Sequence, residues 1–159
     1  MTRWSALLTA SAFAAALSES VMAKAETSEV EMFFQTCMAT VPNFEGVGDL
    51  LVNHGFKKEE GSGSFQHQWG RQSDGDGAYV TVADIRRTCM IGRVGNHTSQ
   101  FMIDLERTLW ARFGFLWERK HHQGRLLYLV RVAKENVLIE VIPPLGAYTY
   151  IAAYIRKEK

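Results

Sequence analysis

Apolar positions recur along this chain at two different periods, and the switches between them mark its elements. Over residues 29–40, Val30, Phe33, Phe34, Cys37 and Met38, with Val41 beyond, fall three and four apart, the spacing that lines one face of a helix. Pro42 and Asn43 end that pattern. A shorter helix is predicted over about 47–54, stopped by Gly55 in a left-handed conformation. From residue 64 the period falls to two: Phe65, His67 and Trp69 alternate with Gln66 and Gln68 as far as Gly70. A polar turn over 73–77 leads to a strand at 79–83, and Arg86-Arg87 lead to another at 88–94. The longer period then returns, with Phe101, Leu105, Leu109 and Phe113 on one stripe, capped by Asn96 or Thr98 and stopped by Gly114. Strand-like stretches at 115–118, 126–132, 137–142 and 147–155 complete the chain. Turns are expected near 122–124, 135–136 and 143–144.

The two parts of this pattern match one another. At an offset of 59 without gaps, Leu50…Gly55-Phe56 lies on Leu109…Gly114-Phe115 and Trp69 lies on Tyr128. Val80 and Val82 then fall on Ile139 and Val141, and Cys89 on Tyr148. The expectation is an α+β fold of two tandem halves, each a helix followed by three or four antiparallel strands. Its single sheet would carry the helices packed on one face.

Composition narrows the setting. With 159 residues, 47% hydrophobic and 22% charged, the chain belongs among ordinary globular proteins and has room for one domain. Its first 25 residues have the build of a cleaved secretory signal peptide. Arg3 is followed by an uncharged apolar run over 4–17, and Ala23-Lys24-Ala25 fits a cleavage site, after Ala25 or after Ala23. Glu19 ends the apolar run before it is long enough to span a bilayer. The remaining domain is 26–159. Removing Arg3, Lys24 and Glu19 from 18 basic and 17 acidic residues leaves no net charge, which argues against a nucleic-acid partner. No later apolar run is long enough for stable membrane insertion, so the expected location is the periplasm or the cell exterior. In such a compartment two thiols, Cys37 and Cys89, are expected to form one disulfide.

The helix motif Phe33-Phe34-Gln35-Thr36-Cys37, the helix ending in Gly55-Phe56 and the later strand Cys89 resemble a loose group of small exported bacterial proteins of uncharacterised activity. That resemblance implies an address outside the cytoplasm and no particular chemistry. With a duplicated α-β architecture, the chain also looks like the tandem-repeat secreted inhibitors of β-lactamases, an analogy of architecture that implies no target.

No catalytic constellation, metal site or cofactor motif stands out. His54 suits a helix C-terminus, His121 and His122 diverge on a hairpin, and Asn96-His97-Thr98 suits a helix start. The Asp74–Gly77 run lacks a ligand at the twelfth position of a calcium loop, where Ile85 stands. Among the carboxylates Asp84, Asp104, Glu106 and Glu140, only Glu140 is unusual, set in an apolar strand. It is either exposed on a wet face or paired, with Arg131 as the candidate partner. The last strand is the most distinctive surface: Tyr148, Tyr150 and Tyr154 project to one side, Ile151, Ala153 and Ile155 to the other. A face carrying these tyrosines, with Trp69 and His67, is expected to bind a periplasmic or extracellular protein. The alternative is a small hydrolase or ligand carrier, with His67, Glu140 and Arg131 lining a pocket.

Overall fold

Ser28 opens the first helix by accepting the amide N–H of Glu31 on its hydroxyl at 3.2 Å. Helix α1 (Glu29–Gln35) buries Val30, Met32, Phe33 and Phe34. It stops short of the expected residue 40 because Thr36 leaves helical geometry (φ −116°, ψ −76°) and turns its hydroxyl back to Met32 O at 2.8 Å. A separate 3-10 turn, Met38–Thr40, follows. Helix α2 (Val47–Asn53) is followed by Gly55 at φ 82°, the left-handed stop that the sequence implies.

The chain then forms β1 (Lys57–Glu59), β2 (His67–Ser73), β3 (Asp76–Ala83) and β4 (Thr88–Val94). Helix α3 (Thr98–Phe113) leads into β5 (Trp117–His122), β6 (Arg125–Val132), β7 (Glu135–Leu145) and β8 (Tyr148–Ile155). This computed structural model describes residues 27–59, 67–73, 76–83 and 88–155. The expected export segment, residues 64–66 of the expected strand, the centre of the 73–77 turn, Asp84 and Arg86-Arg87 lie outside the described residues.

Several boundaries differ from expectation, each for a local reason. Strand β1, three exposed charged residues, carries no apolar alternation to announce it. Residues 115–116 belong to a turn, and β5 runs instead through the charged 118–122 stretch. The β6–β7 turn falls at Ala133-Lys134, both at positive φ (51° and 70°), and not at 135–136. Such two-residue turns match the twist of paired strands, although Gly or Asn usually fills them. Strand β7 continues through Pro143 and Pro144, with a bulge between Ile142 and Leu145, so its turn falls at Gly146-Ala147. At the start of α3 the Asn96 side-chain oxygen accepts the amide N–H of Thr98 at 3.3 Å, as one of the two expected caps would. His97 occupies the capping position, and its amide donates to Thr149 Oγ1 at 3.0 Å, tying the helix start to β8.

The eight strands of the described residues form one antiparallel sheet in the order β1-β2-β3-β4-β8-β7-β6-β5. Each half is a four-strand meander, and the halves join where β4 pairs with β8. Their correspondence is visible in the register. Trp69 pairs with Val80 as Tyr128 pairs with Ile139, which keeps the ungapped offset of the sequence. Beyond Ile142 the correspondence shifts, because Pro143 to Leu145 extend β7 past the end of β3. Val82 pairs with Cys89 as Val141 pairs with Ile151, so the counterpart of Cys89 is Ile151 and not Tyr148. Met90 pairs with its own counterpart, Ala152, and an approximate two-fold axis passes through the sheet there.

The core lies between the helices and one face of this sheet. Cys89, Ile91, Tyr128, Val130, Val137, Ile139, Val141, Ile151, Ala153 and Ile155 face Phe33, Leu51, Phe101, Leu105 and Leu109. Gly48 of α2 rests on the Trp69 ring, where a Cβ would come within 2.9 Å. The Cys37–Cys89 disulfide, with Cα atoms 5.6 Å apart, joins the end of the α1 segment to β4. No helix among the described residues is long and apolar enough to cross a membrane.

Candidate functional site

Because side chains alternate along a strand, every residue of the helix-packed face fixes the direction of its neighbours. The second face is therefore built from Met90, Leu127, Leu129, Leu138, Glu140, Ile142, Tyr148, Tyr150, Ala152 and Tyr154. None of these belongs to the core formed with the helices. Its large apolar and aromatic members are half-buried.

The three tyrosines sit here together, as the alternation of β8 requires. The rings of Tyr148 and Tyr150 lie 5.9 Å apart at 33°. Tyr150 lies flat across the paired Gly92, where a Cβ would fall 2.5 Å from its ring carbons. Glycine at 92 lets the ring lie down on the sheet and holds it in one orientation.

Glu140 is 2% exposed at the middle of this face. A carboxylate so placed needs a cation, and the cation is Arg125, whose Nε and Nη2 both donate to it. The expected partner Arg131 is exposed further along β6. Arg125 reaches its carboxylate diagonally from the start of β6, since Leu127 is the residue directly opposite Glu140. Tyr154 lies beside the pair; burial, then the Glu140 charge, raises its phenol above the ordinary value and keeps it protonated.

Trp69, an expected member of the site, lies elsewhere: it is buried in the helix-packed core, on the opposite face from the tyrosines. His67 pairs with Val82 at the start of β2. Of the residues expected to line a hydrolase or carrier pocket, Glu140 is held by Arg125, and Arg131 is exposed. Among the described residues no three His, Cys, Asp or Glu side chains are grouped as a metal site.

A separate cavity of about 200 Å³ opens between the starts of α1 and α3, lined by Glu29, Arg93, His97, Gln100 and Asp104. Its polar groups engage one another: Arg93 pairs with Glu29 at 3.4 Å, His97 Nε2 contacts Val94 O at 2.8 Å, and Gln100 donates to Asp104 at 2.8 Å.

One surface escaped the sequence reading. In the turn between α3 and β5, Phe115 is 88% exposed and Leu116 79%. Trp110 of α3 meets Phe115 edge-on at 4.9 Å, and Trp117 stands behind Trp110 at 5.8 Å. The signal was present in the Phe-Leu-Trp run, but an apolar run beside a helix end reads equally as the start of a buried strand. The chain matches no family model, no curated protein and no solved structure.

Proposed function

We propose that this chain is an exported, non-enzymatic protein-binding module of the inhibitor or immunity type, acting in the periplasm or outside the cell. The observation that carries this reading is the second face of the sheet, apolar and tyrosine-lined, over which none of the described helices packs. Tyrosines offer large contact area at low entropic cost, and two of these are already held in place by Gly92 and by each other. The buried Glu140–Arg125 pair gives the centre of the face a fixed polar mark, which helps one partner to be preferred over others. The signal-like first 25 residues and the Cys37–Cys89 disulfide support the address. Trp69, buried in the helix-packed core, does not belong to this proposed surface.

The test is affinity capture from the periplasmic fraction of the source cell, run in parallel with residues 26–159 and with its Tyr148→Ala/Tyr150→Ala form. The expected result is a stoichiometric partner that the double variant loses, with the melting temperature held within about 4 °C. A partner retained equally by both forms would remove the tyrosine face from the reading. The absence of any partner would remove the binding module itself.

A further inference from the structure

The Gly-Phe pair that ends the last helix of each half has opposite fates. Phe56 is 2% exposed and part of the core, whereas its counterpart Phe115 stands in solvent beside Leu116. The exposed apolar surface continues onto α3, where Ile103 and Trp110, seven residues apart, lie on one helical face with Arg107 between them.

Its surroundings are cationic toward solvent. Residues 107–120 hold Arg107, Arg112, Arg119 and Lys120 against one carboxylate, Glu118. Each of these cations has an acidic partner: Asp104, Glu31, Glu106 and Glu118 respectively. For Arg107 and Arg119 the carboxylate is the more buried member, so the guanidinium forms the outer layer. Exposed aromatic and aliphatic side chains flanked by outward cations match the interfacial zone of a bilayer with anionic headgroups.

We propose that the α3–β5 turn is a peripheral membrane-docking element. Phe115 and Leu116 would enter the headgroup region of an anionic phospholipid surface, while Trp110 and the surrounding Arg and Lys side chains lie at its level. No segment spans the bilayer in this arrangement, and the tyrosine face is not involved, so the proposal stands apart from the partner-binding reading.

Sedimentation with vesicles tests it. The apolar run at 4–17 would itself enter a bilayer, so the measurement uses residues 26–159, which contain every element of the described fold. The chain should cosediment with phosphatidylglycerol/phosphatidylethanolamine vesicles, much less with phosphatidylcholine, and less as salt rises. Phe115→Ser/Leu116→Ser should lower partitioning about tenfold or more with an unchanged melting temperature. A Phe115→Trp form should shift its fluorescence to the blue and be quenched by brominated lipid. Failure of the parent chain to bind anionic vesicles overturns the proposal. So does binding that the double serine variant retains, or equal binding to neutral vesicles. Self-association lost in the serine variant, without vesicle binding, would overturn it in favour of a protein contact.

Discussion

The two halves of this molecule share a topology and differ in what holds it together. In the first half the helical layer is broken into α1, a 3-10 turn and α2, and each α-helix is only seven residues long. Helices of that length do not persist alone; these depend on buried side chains and on the Cys37–Cys89 bond to β4. In the second half one 16-residue helix does the same work, with Phe101, Leu105 and Leu109 buried along a single stripe. Its additional ties are polar: the Tyr128 hydroxyl donates to Glu106 at 2.8 Å, and Arg119 pairs with the same carboxylate. The pairing plan tolerates either solution, because the strands specify the sheet and the helical layer needs only to cover one face of it.

Breaking the disulfide should separate the halves most. Cys37→Ser/Cys89→Ser is expected to lower stability by about 4 kcal/mol in chemical denaturation, since the bond closes a separation of 52 residues. Native-state hydrogen exchange should then show α1, α2 and β4 opening before α3 and β6. Equal loss of protection in all elements would mean that the halves are a single cooperative unit and that the contrast is only geometric.

The Gly-Phe counterparts provide the next test. Phe56→Ala should cost about 3 kcal/mol or more by leaving a cavity, and Phe115→Ala less than about 0.5 kcal/mol. Thermal melts of the two variants check this directly; similar losses would show that Phe115 is packed after all.

Tyr128→Phe probes the polar ties of the second half. Removing the hydroxyl leaves Glu106 with Arg119, and a loss of about 1 kcal/mol is expected. The pH profile sharpens this prediction. Burial, then the hydrogen bond to Glu106, raises the Tyr128 phenol in the folded protein above its ordinary value of 10.0. The unfolded chain therefore loses that proton first as pH rises. Stabilisation is fully present below about pH 10 and declines above it, a decline that Tyr128→Phe should flatten. An unchanged alkaline profile would exclude the Tyr128 hydroxyl as its source.

The last test lies at the two-fold seam. Gly92→Ala should displace the Tyr150 ring at a cost of about 1 kcal/mol, followed by the near-ultraviolet circular dichroism of the tyrosines. A spectrum identical to that of the parent would show that Gly92 does not hold the ring.

Where burial generates periodicity, the sequence is legible. The Phe101–Phe113 stripe marks α3, the alternation in 148–155 separates tyrosines from core, and the two cysteines meet as the compartment argument expects. The match of Trp69 with Tyr128 is also informative: both are buried, which places Trp69 away from the tyrosines. What could not be read depends on neighbours distant in sequence. Lys57 to Glu59 join the sheet without apolar alternation, Ala133-Lys134 turn without glycine, and Arg125 reaches Glu140 across a diagonal that alternation does not reveal. The exposure of Phe115 is of the same kind, since it depends on what packs nearby and not on the residue itself.

The strand order carries a consequence for how the chain is assembled. Among the described residues, six of the seven ladders join strands consecutive in the chain, and only β4 with β8 spans the two halves. The final strand is therefore not an edge but the keystone: until residues 148–155 arrive, the inner sides of β4 and β7 remain open and the two meanders cannot fuse. A chain cut after Gly146 would lose the middle of its sheet while keeping both edges. A premature stop there would leave two separate curls, each exposing the side that should have met the other, a species prone to stick to copies of itself.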